Sequence, residues 1–352
     1  EKQFIEIINE AYYGNFEKSE RLIFELEKKQ GSSPEYILSK NLSRIIQHIY
    51  FGEKTETISL LDKSIELVSN NSLENCRLIF CNDEIWKIYQ IEYQNIVKPN
   101  SLLSSKSIHR LKSFLSSQNG RIRFEAQRII TENALKRGSI SQSLEEVLRL
   151  LEMSDSVRIA SIQATTKAFE LASIHYYRTR YFEKSLDFAF QAHRNIRYVK
   201  ESKNYHSIDL SISVLETLLA IAYETQREEQ DGSEKTSTIL NEFNEILSSV
   251  NENFSELEKV NKRNKIRLDL LRAKATLIPN PAWMGDLLKS IKNSPWHSEA
   301  RDIHSGLLET CLEAESASEF DLVAECYSLK FRALYVEYKD PVAMLESARF
   351  AL

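Results

Sequence analysis

The chain has 352 residues and a formal charge of −5, from 51 acids and 46 bases, with 42% hydrophobic and 28% charged residues. This is enough apolar content for a large core, and it excludes both a disordered chain and a polycation selected for nucleic acid. The 8 glycines and 6 prolines amount to about 2% each, against a usual roughly 7% and 5%, which argues against turn-rich sheets, barrels and sandwiches and against glycine-cradled phosphate sites.

From the N-terminus onward, apolar residues recur at the spacing that lines one face of a helix. Leu22, Ile23 and Leu26 make one such stripe, and Ile58, Leu60, Leu61, Ile65 and Val68 make the next. Turn signals fall at Gly31-Ser-Ser-Pro34, Asn70-Asn71, Lys98-Pro-Asn100, Asn119-Gly120, Gly138, Asp231-Gly232, Pro279-Asn-Pro281, Asn293-Ser-Pro295 and Asp340-Pro341. The segments between them predict about 15–17 helices joined by short loops, in antiparallel neighbours. So many helices exceed what a single core can serve, so a stack of helix pairs is expected.

Cys76, Cys81, Cys311 and Cys326 form neither C-x-x-C nor a zinc spacing, and they read as reduced, buried thiols. The N-terminus lacks the regions of a signal peptide, and the longest apolar run, Leu218–Tyr223, is far short of a membrane span. A cytoplasmic location follows as an expectation. The chain begins without Met and ends in a predicted helix, Ala343–Leu352, so it reads as part of a longer chain.

A degraded repeat is visible. Gly14-Asn-Phe16-Glu-Lys-Ser19 and Arg180-Tyr-Phe182-Glu-Lys-Ser185 share Phe-Glu-Lys-Ser at a helix start, and Gly52-Glu-Lys-Thr-Glu-Thr57 resembles them. In each, a small residue (Ser19, Thr57, Ser185) is followed four and seven positions later by Ile23 and Leu26, Leu61 and Ser64, or Ala189 and Ala192. A small residue there lets the neighbouring helix approach closely.

Phe169, Ala172, Ser173 and Tyr176, followed by Phe182, Ser185, Ala189 and Ala192, resemble the tetratricopeptide repeat in their large, small and aromatic order. Pro341, Ala343, Ser347 and Phe350 fit more loosely. The segments Gly120–Ile130 and Ser154–Ala164, with Arg123 and Arg158 in matching places, resemble the second helices of HEAT repeats, in which Asp155 and Arg158 would be structural. The resemblances imply an all-α, right-handed superhelical α-solenoid. Residues 1–100 would be tetratricopeptide-like, 101–178 HEAT-like, and 179–352 long-helix tetratricopeptide-like repeats continuing beyond the chain.

No His-Glu-x-x-His, Gly-x-Ser-x-Gly or phosphate-binding motif occurs, and no cofactor, metal or catalytic residue is assigned. His297, Arg301 and His304 share a predicted helix face, and an all-helical enzyme would place its site there. An ordinary capped helix start explains the same residues more simply. Basic segments lie at 109–137 and 258–274. Lys262, Arg263, Lys265 and Arg267 could present a stripe to phosphates as a nucleic-acid-binding surface, although pairing with an acidic neighbour such as 233–257 is the simpler reading. The pairs Tyr12-Tyr13 and Tyr176-Tyr177 could line a peptide groove or pack between helices. The function expected is a non-catalytic interaction scaffold or sensor module that holds a protein or peptide partner.

Overall fold

The structure is a computed structural model and describes residues 2–12, 14–30, 33–51, 54–70, 76, 78–97, 102–157, 162–197, 205–228, 234–255, 261–277, 307, 309–312, 314–315 and 322–329. Among these residues the regular structure is helical, with no strand. The chain divides into two compact units, Glu1–Leu210 and Ser211–Leu352.

The first unit begins with α1 (Lys2–Tyr12), α2 (Phe16–Gln30), α3 (Pro34–Phe51) and α4 (Lys54–Asn70). A 3₁₀ turn (Ile79–Cys81) leads into α5 (Asp83–Val97), α6 (Ser105–Phe114), α7 (Gly120–Arg137), α8 (Ile140–Val157), α9 (Ile162–Arg178) and α10 (Phe182–Arg197). α11 (Tyr205–Glu228) starts in the first unit and runs into the second. Consecutive helices pack as pairs, and α1 also touches α3, α5 touches α7, and α7 touches α9. Contact with both the next helix and the next but one is the signature of a helical-repeat stack.

The repeat seen in the sequence has a backbone counterpart. At the α1–α2 turn, Gly14 has φ 78°, its N–H donates to Ala11 O at 3.0 Å, and Asn15 N–H donates to Glu10 O at 2.9 Å. At the α9–α10 turn, Arg180 has φ 63°, its N–H donates to Tyr177 O at 3.0 Å, and Tyr181 N–H donates to Tyr176 O at 2.9 Å. Both are the same left-handed helix stop, built once with glycine and once without it. Beyond each turn the motif serine reaches back to the preceding helix. Ser19 Oγ donates to Ile7 O at 2.8 Å, and Ser185 Oγ donates to Ser173 O at 2.9 Å. Ile23, Leu26, Leu61, Ser64, Ala189 and Ala192 are all buried, as the repeat spacing predicts. Gly52 and Glu53 lie outside the described residues.

α7 is buried on nearly every side from Ile122 to Leu135, as a helix at the centre of a stack must be. Asn119 caps its start by accepting from Arg121 N–H at 2.9 Å, and Gly138, with φ 75°, ends it. Arg178 of α9 donates to the terminal Leu135 carbonyl at 2.6 Å. These contacts supply partners to backbone groups that a helix end would otherwise leave unpaired. Arg123 donates to Ser117 O of its own turn at 2.6 Å. Arg158, and the side chain of Asp155, fall outside the described residues.

α11 returns to the beginning of the first unit. Tyr205 N–H donates to Gly14 O at 3.3 Å, and Tyr50 Oη donates to Tyr205 O at 3.3 Å. The Tyr205 ring lies 5.2 Å from Phe16, 5.8 Å from Tyr50 and 5.3 Å from Phe51, between centroids. These aromatic contacts seat the start of α11 on the α1–α2 turn and the end of α3.

The cysteines depart from expectation. Cys76 and Cys81 are joined in a disulfide with Cα atoms 6.0 Å apart, because the turn into the 3₁₀ segment folds a five-residue separation back on itself. The same turn is held by Trp86 Nε1, which donates to Phe80 O at 2.9 Å within the core.

The second unit holds the rest of α11, α12 (Glu234–Ser255) and α13 (Lys262–Leu277), with further helical residues at 322–329. Ile266, Leu270 and Ala273 of α13 form a core with Cys311, Cys326 and Tyr327. Cys311 and Cys326 are buried free thiols. Among the described residues no helix is long and apolar enough to cross a membrane.

Candidate functional site

The first unit holds a half-open lumen of about 250 Å³. The side chains that line it come from α1, α3, α5, α7, α9 and α11, one layer of the stack. Apolar and aromatic surface is supplied by Ile46, Ile49 and Tyr50 of α3, Phe124 of α7 and Leu210 of α11. Tyr12 and Tyr89 add two phenols from α1 and α5, and their hydroxyls hydrogen-bond to each other. Burial pushes the Tyr12 phenol up to about 12, and it raises Tyr89 well above the usual tyrosine range, so both stay protonated donors.

The charged part of the wall is centred on α7. Arg121, Glu125, Arg128 and Glu132 follow at steps of four, three and four, which places them on one face. Arg128 donates to both carboxylate oxygens of Glu92 on α5, at 2.9 and 2.8 Å. It also reaches Glu125 at 2.7 Å and Glu132 at 3.0 Å. Arg121 pairs with Glu125 at 2.9 Å, and its guanidinium lies 4.4 Å from the centre of the Tyr12 ring. Lys167 of α9 pairs with Glu170 at 3.1 Å and with Glu132 at 3.9 Å.

The electrostatics follow from that geometry. Burial raises the carboxyl of Glu125, but Arg121 and Arg128 together outweigh it and hold the group below its ordinary range. Glu132 is likewise lowered, by Arg128 and Lys167 acting against burial. Burial works against the charge of Arg128, yet Glu92, Glu132 and Glu125 keep it firmly protonated. Glu92 goes the other way. Burial holds its carboxyl above the usual range despite the fork from Arg128. The wall is therefore a charged network in a low-dielectric setting, where each interaction counts for more than it would in water.

The residues singled out in the sequence distribute differently. Arg267 forks onto Glu216 of α11, with both bonds at 2.8 Å, and Arg272 pairs with Asp269 at 2.7 Å and with Asn251 of α12. Lys274 pairs with Glu325. Lys265 is exposed and Arg263 partly buried on the same helix, while the side chain of Lys262 lies outside the described residues. In the other basic segment, Arg121 and Arg128 face the lumen, while Arg110, Lys112, Lys136 and Arg137 are exposed. Tyr12 lines the lumen, but Tyr176 stacks on Phe188 at 5.5 Å and Tyr177 meets Phe182 at 5.6 Å, as packing between α9 and α10. Tyr13, His297, Arg301 and His304 lie outside the described residues.

Glu92, Lys167, Glu170 and Asp209 are not legible as site residues in the sequence, because they come from three helices brought together only by the stack. The α7 stripe is legible as a pattern. A charged stripe at helical spacing ordinarily reads as a solvated face, and here it faces inward.

No family model and no curated protein matches the sequence. Among solved structures, the chain is similar to a Rap protein complexed with competence and sporulation factor, at 11% identity over 98% of both chains and a TM-score of 0.47. It is also similar to the apo form of RapI, at 13% identity over 95% of this chain and 97% of that one, with a TM-score of 0.42.

Proposed function

We propose that the chain is a non-catalytic interaction module that holds a protein or peptide partner, with the lumen of its first unit as the receiving site. The lumen itself carries this reading. One layer of helices contributes apolar walls, tyrosine hydroxyls and a hydrogen-bonded charge network to a single space of about 250 Å³. Sites for drug-sized molecules occupy roughly 300–1,000 Å³. The smaller space suits one or two anchoring side chains of a larger partner, with the remaining contacts spread along the stack. A network already locked by mutual bonds is preorganised, which lowers the ordering cost of binding.

The tetratricopeptide type is part of this proposal. It is supported by the two left-handed turns followed by Phe-Glu-Lys-Ser, with the serine tied to the preceding helix in both copies. A HEAT-like type for the stretch around α7 has weaker support, since Arg123 bonds within its own turn.

A bead-displayed library of random decapeptides, selected against the wild-type chain and against Ile49→Trp, tests the reading. The tryptophan fills the lumen from a partly exposed position on α3, and circular dichroism checks that the variant folds. Peptides retained by wild type and lost by Ile49→Trp are expected. Identical peptide sets from the two proteins, or no binders to either, would overturn the reading.

A further inference from the structure

Between Glu92 and Glu125 the sequence holds no acid, and α6 lies within that stretch. Leu111 and Phe114 of α6 are buried in one core with Ile122, Ala126 and Ile129 of α7. The opposite face is turned outward, and Lys106, His109, Arg110 and Lys112 are exposed on it together with Ser105 and Ser113. This face continues onto the next helix. Leu103 N–H donates to Asn133 Oδ1 at 2.8 Å, which brings the start of α6 to the last turn of α7, where Lys136 and Arg137 are exposed. Lys106, Arg110, Lys112 and Arg137 hold no ion pair among the described residues, and Lys136 acts at a distance on Glu132 of its own helix. By contrast, Arg44 is matched by Glu20, Arg149 by Glu145 and Arg272 by Asp269.

We propose that this outer face binds the phosphate backbone of double-stranded DNA without reading its bases. Unopposed positive charge clustered along a helix is the electrostatic footprint of a polyanionic partner, and Lys, Arg and Ser side chains are the groups that contact phosphates. A protein partner is anchored by a buried apolar or aromatic centre, a membrane surface by an apolar helix face, and a single strand by stacked aromatic rings. The exposed arc of α6 carries no apolar or aromatic side chain. Double-stranded RNA is held across two successive minor grooves, a longer reach than the 10 residues of α6, which span about 15 Å. That length suits the edge of a B-DNA major groove, about 12 Å wide. α6 supplies no residue to the lumen wall, so this surface is separate from the receiving site and stands without it.

The test is fluorescence anisotropy of a labelled DNA duplex of about 20 base pairs, titrated with the full chain between about 20 and 100 mM salt. Micromolar binding is expected at the lowest salt, with log K falling against log salt at a slope of about −4, from roughly −0.9 for each of five cations. Combining Lys106→Gln, Arg110→Gln and Lys112→Gln should weaken binding at least about tenfold and flatten the slope to about −2. These side chains are exposed, and circular dichroism checks that the fold is kept. A control combining Arg21→Gln, Lys28→Gln and Lys29→Gln removes the same charge from α2, where Glu17, Glu20, Glu25 and Glu27 surround it in sequence. The control should stay within about twofold of wild type. Equal losses in the two triple variants would reduce the effect to net charge and overturn the assignment to α6. The proposal is also overturned by no binding up to about 100 μM chain at the lowest salt, by tighter binding of a single strand or an RNA duplex of the same length, or by retention on phosphatidylserine vesicles without binding of the DNA duplex.

Discussion

Arg128 of α7 holds both carboxylate oxygens of Glu92 on α5, at 2.9 and 2.8 Å and thirty-six positions away in sequence. This contact ties two helices of the inner layer together and fixes the centre of the lumen wall. Removing the cation leaves Glu92, Glu125 and Glu132 with their mutual repulsion in a desolvated place. Arg128→Met should therefore lower stability by about 3–5 kcal/mol. Arg128→Lys should recover only part of the loss, since an ammonium cannot reproduce the fork. Urea unfolding followed by circular dichroism measures both, and an unchanged midpoint in Arg128→Met would contradict the role given to the network.

Two of the left-handed turns, at Gly138 and Arg180, make opposite predictions. Gly138 ends α7 at φ +75° with open space where a Cβ would sit, so Gly138→Ala costs only the backbone strain, about 1 kcal/mol. Arg180 already bears such strain at φ 63°. Arg180→Gly should be neutral or stabilising by about 0.5 kcal/mol, and Arg180→Val should cost about 1–2 kcal/mol. Thermal melts of the three variants give the order directly.

The repeat serines separate hydrogen bonding from space. Ser185 is fully buried, bonded to the Ser173 carbonyl at 2.9 Å and beside its hydroxyl at 3.1 Å. Ser185→Ala should cost about 1 kcal/mol for the lost bonds. Ser185→Leu should cost about 1–3 kcal/mol or more, because extra methylenes push α10 away from α9. If leucine were tolerated as well as alanine, close approach would not be the reason for the small residue.

The repeat and the helix-pair architecture were legible in the sequence because they depend on local patterns. Phe16 and Phe182 do open α2 and α10, and the small residues spaced after them are buried. The turn at Gly138 was readable for the same reason, since glycine is where a left-handed stop is expected. The lumen was not legible, because Glu92, Arg128, Lys167 and Asp209 belong to four helices and no local pattern announces that they meet. Arg180 hides a glycine-like turn behind a residue that ordinarily avoids it. The Cys76–Cys81 bond was missed because its spacing carries no recognised motif.

Stability near neutral pH should carry the signature of His175. Its ring is buried, with Nδ1 3.0 Å from Ser143 Oγ, and burial lowers its pKa below the ordinary value. The unfolded chain therefore binds the proton more readily than the native one. Stability contributed by the neutral ring is complete above the ordinary histidine range of about 6.5 and is lost as pH falls towards the lowered native pKa. Urea midpoints at pH 7.5, 6.5 and 5.5 should decline more for wild type than for His175→Asn. Parallel declines would assign the slope to other groups.

The central claim is that the lumen is where a partner is held, and hydrogen–deuterium exchange of the full chain with and without a saturating selected decapeptide tests it most directly. The account predicts added protection in α1, α5, α7, α9 and the start of α11, around Tyr12, Tyr89, Arg128, Lys167 and Asp209. Protection confined to α13 around Lys262, Arg263 and Lys265, with the lumen helices unchanged, would contradict it.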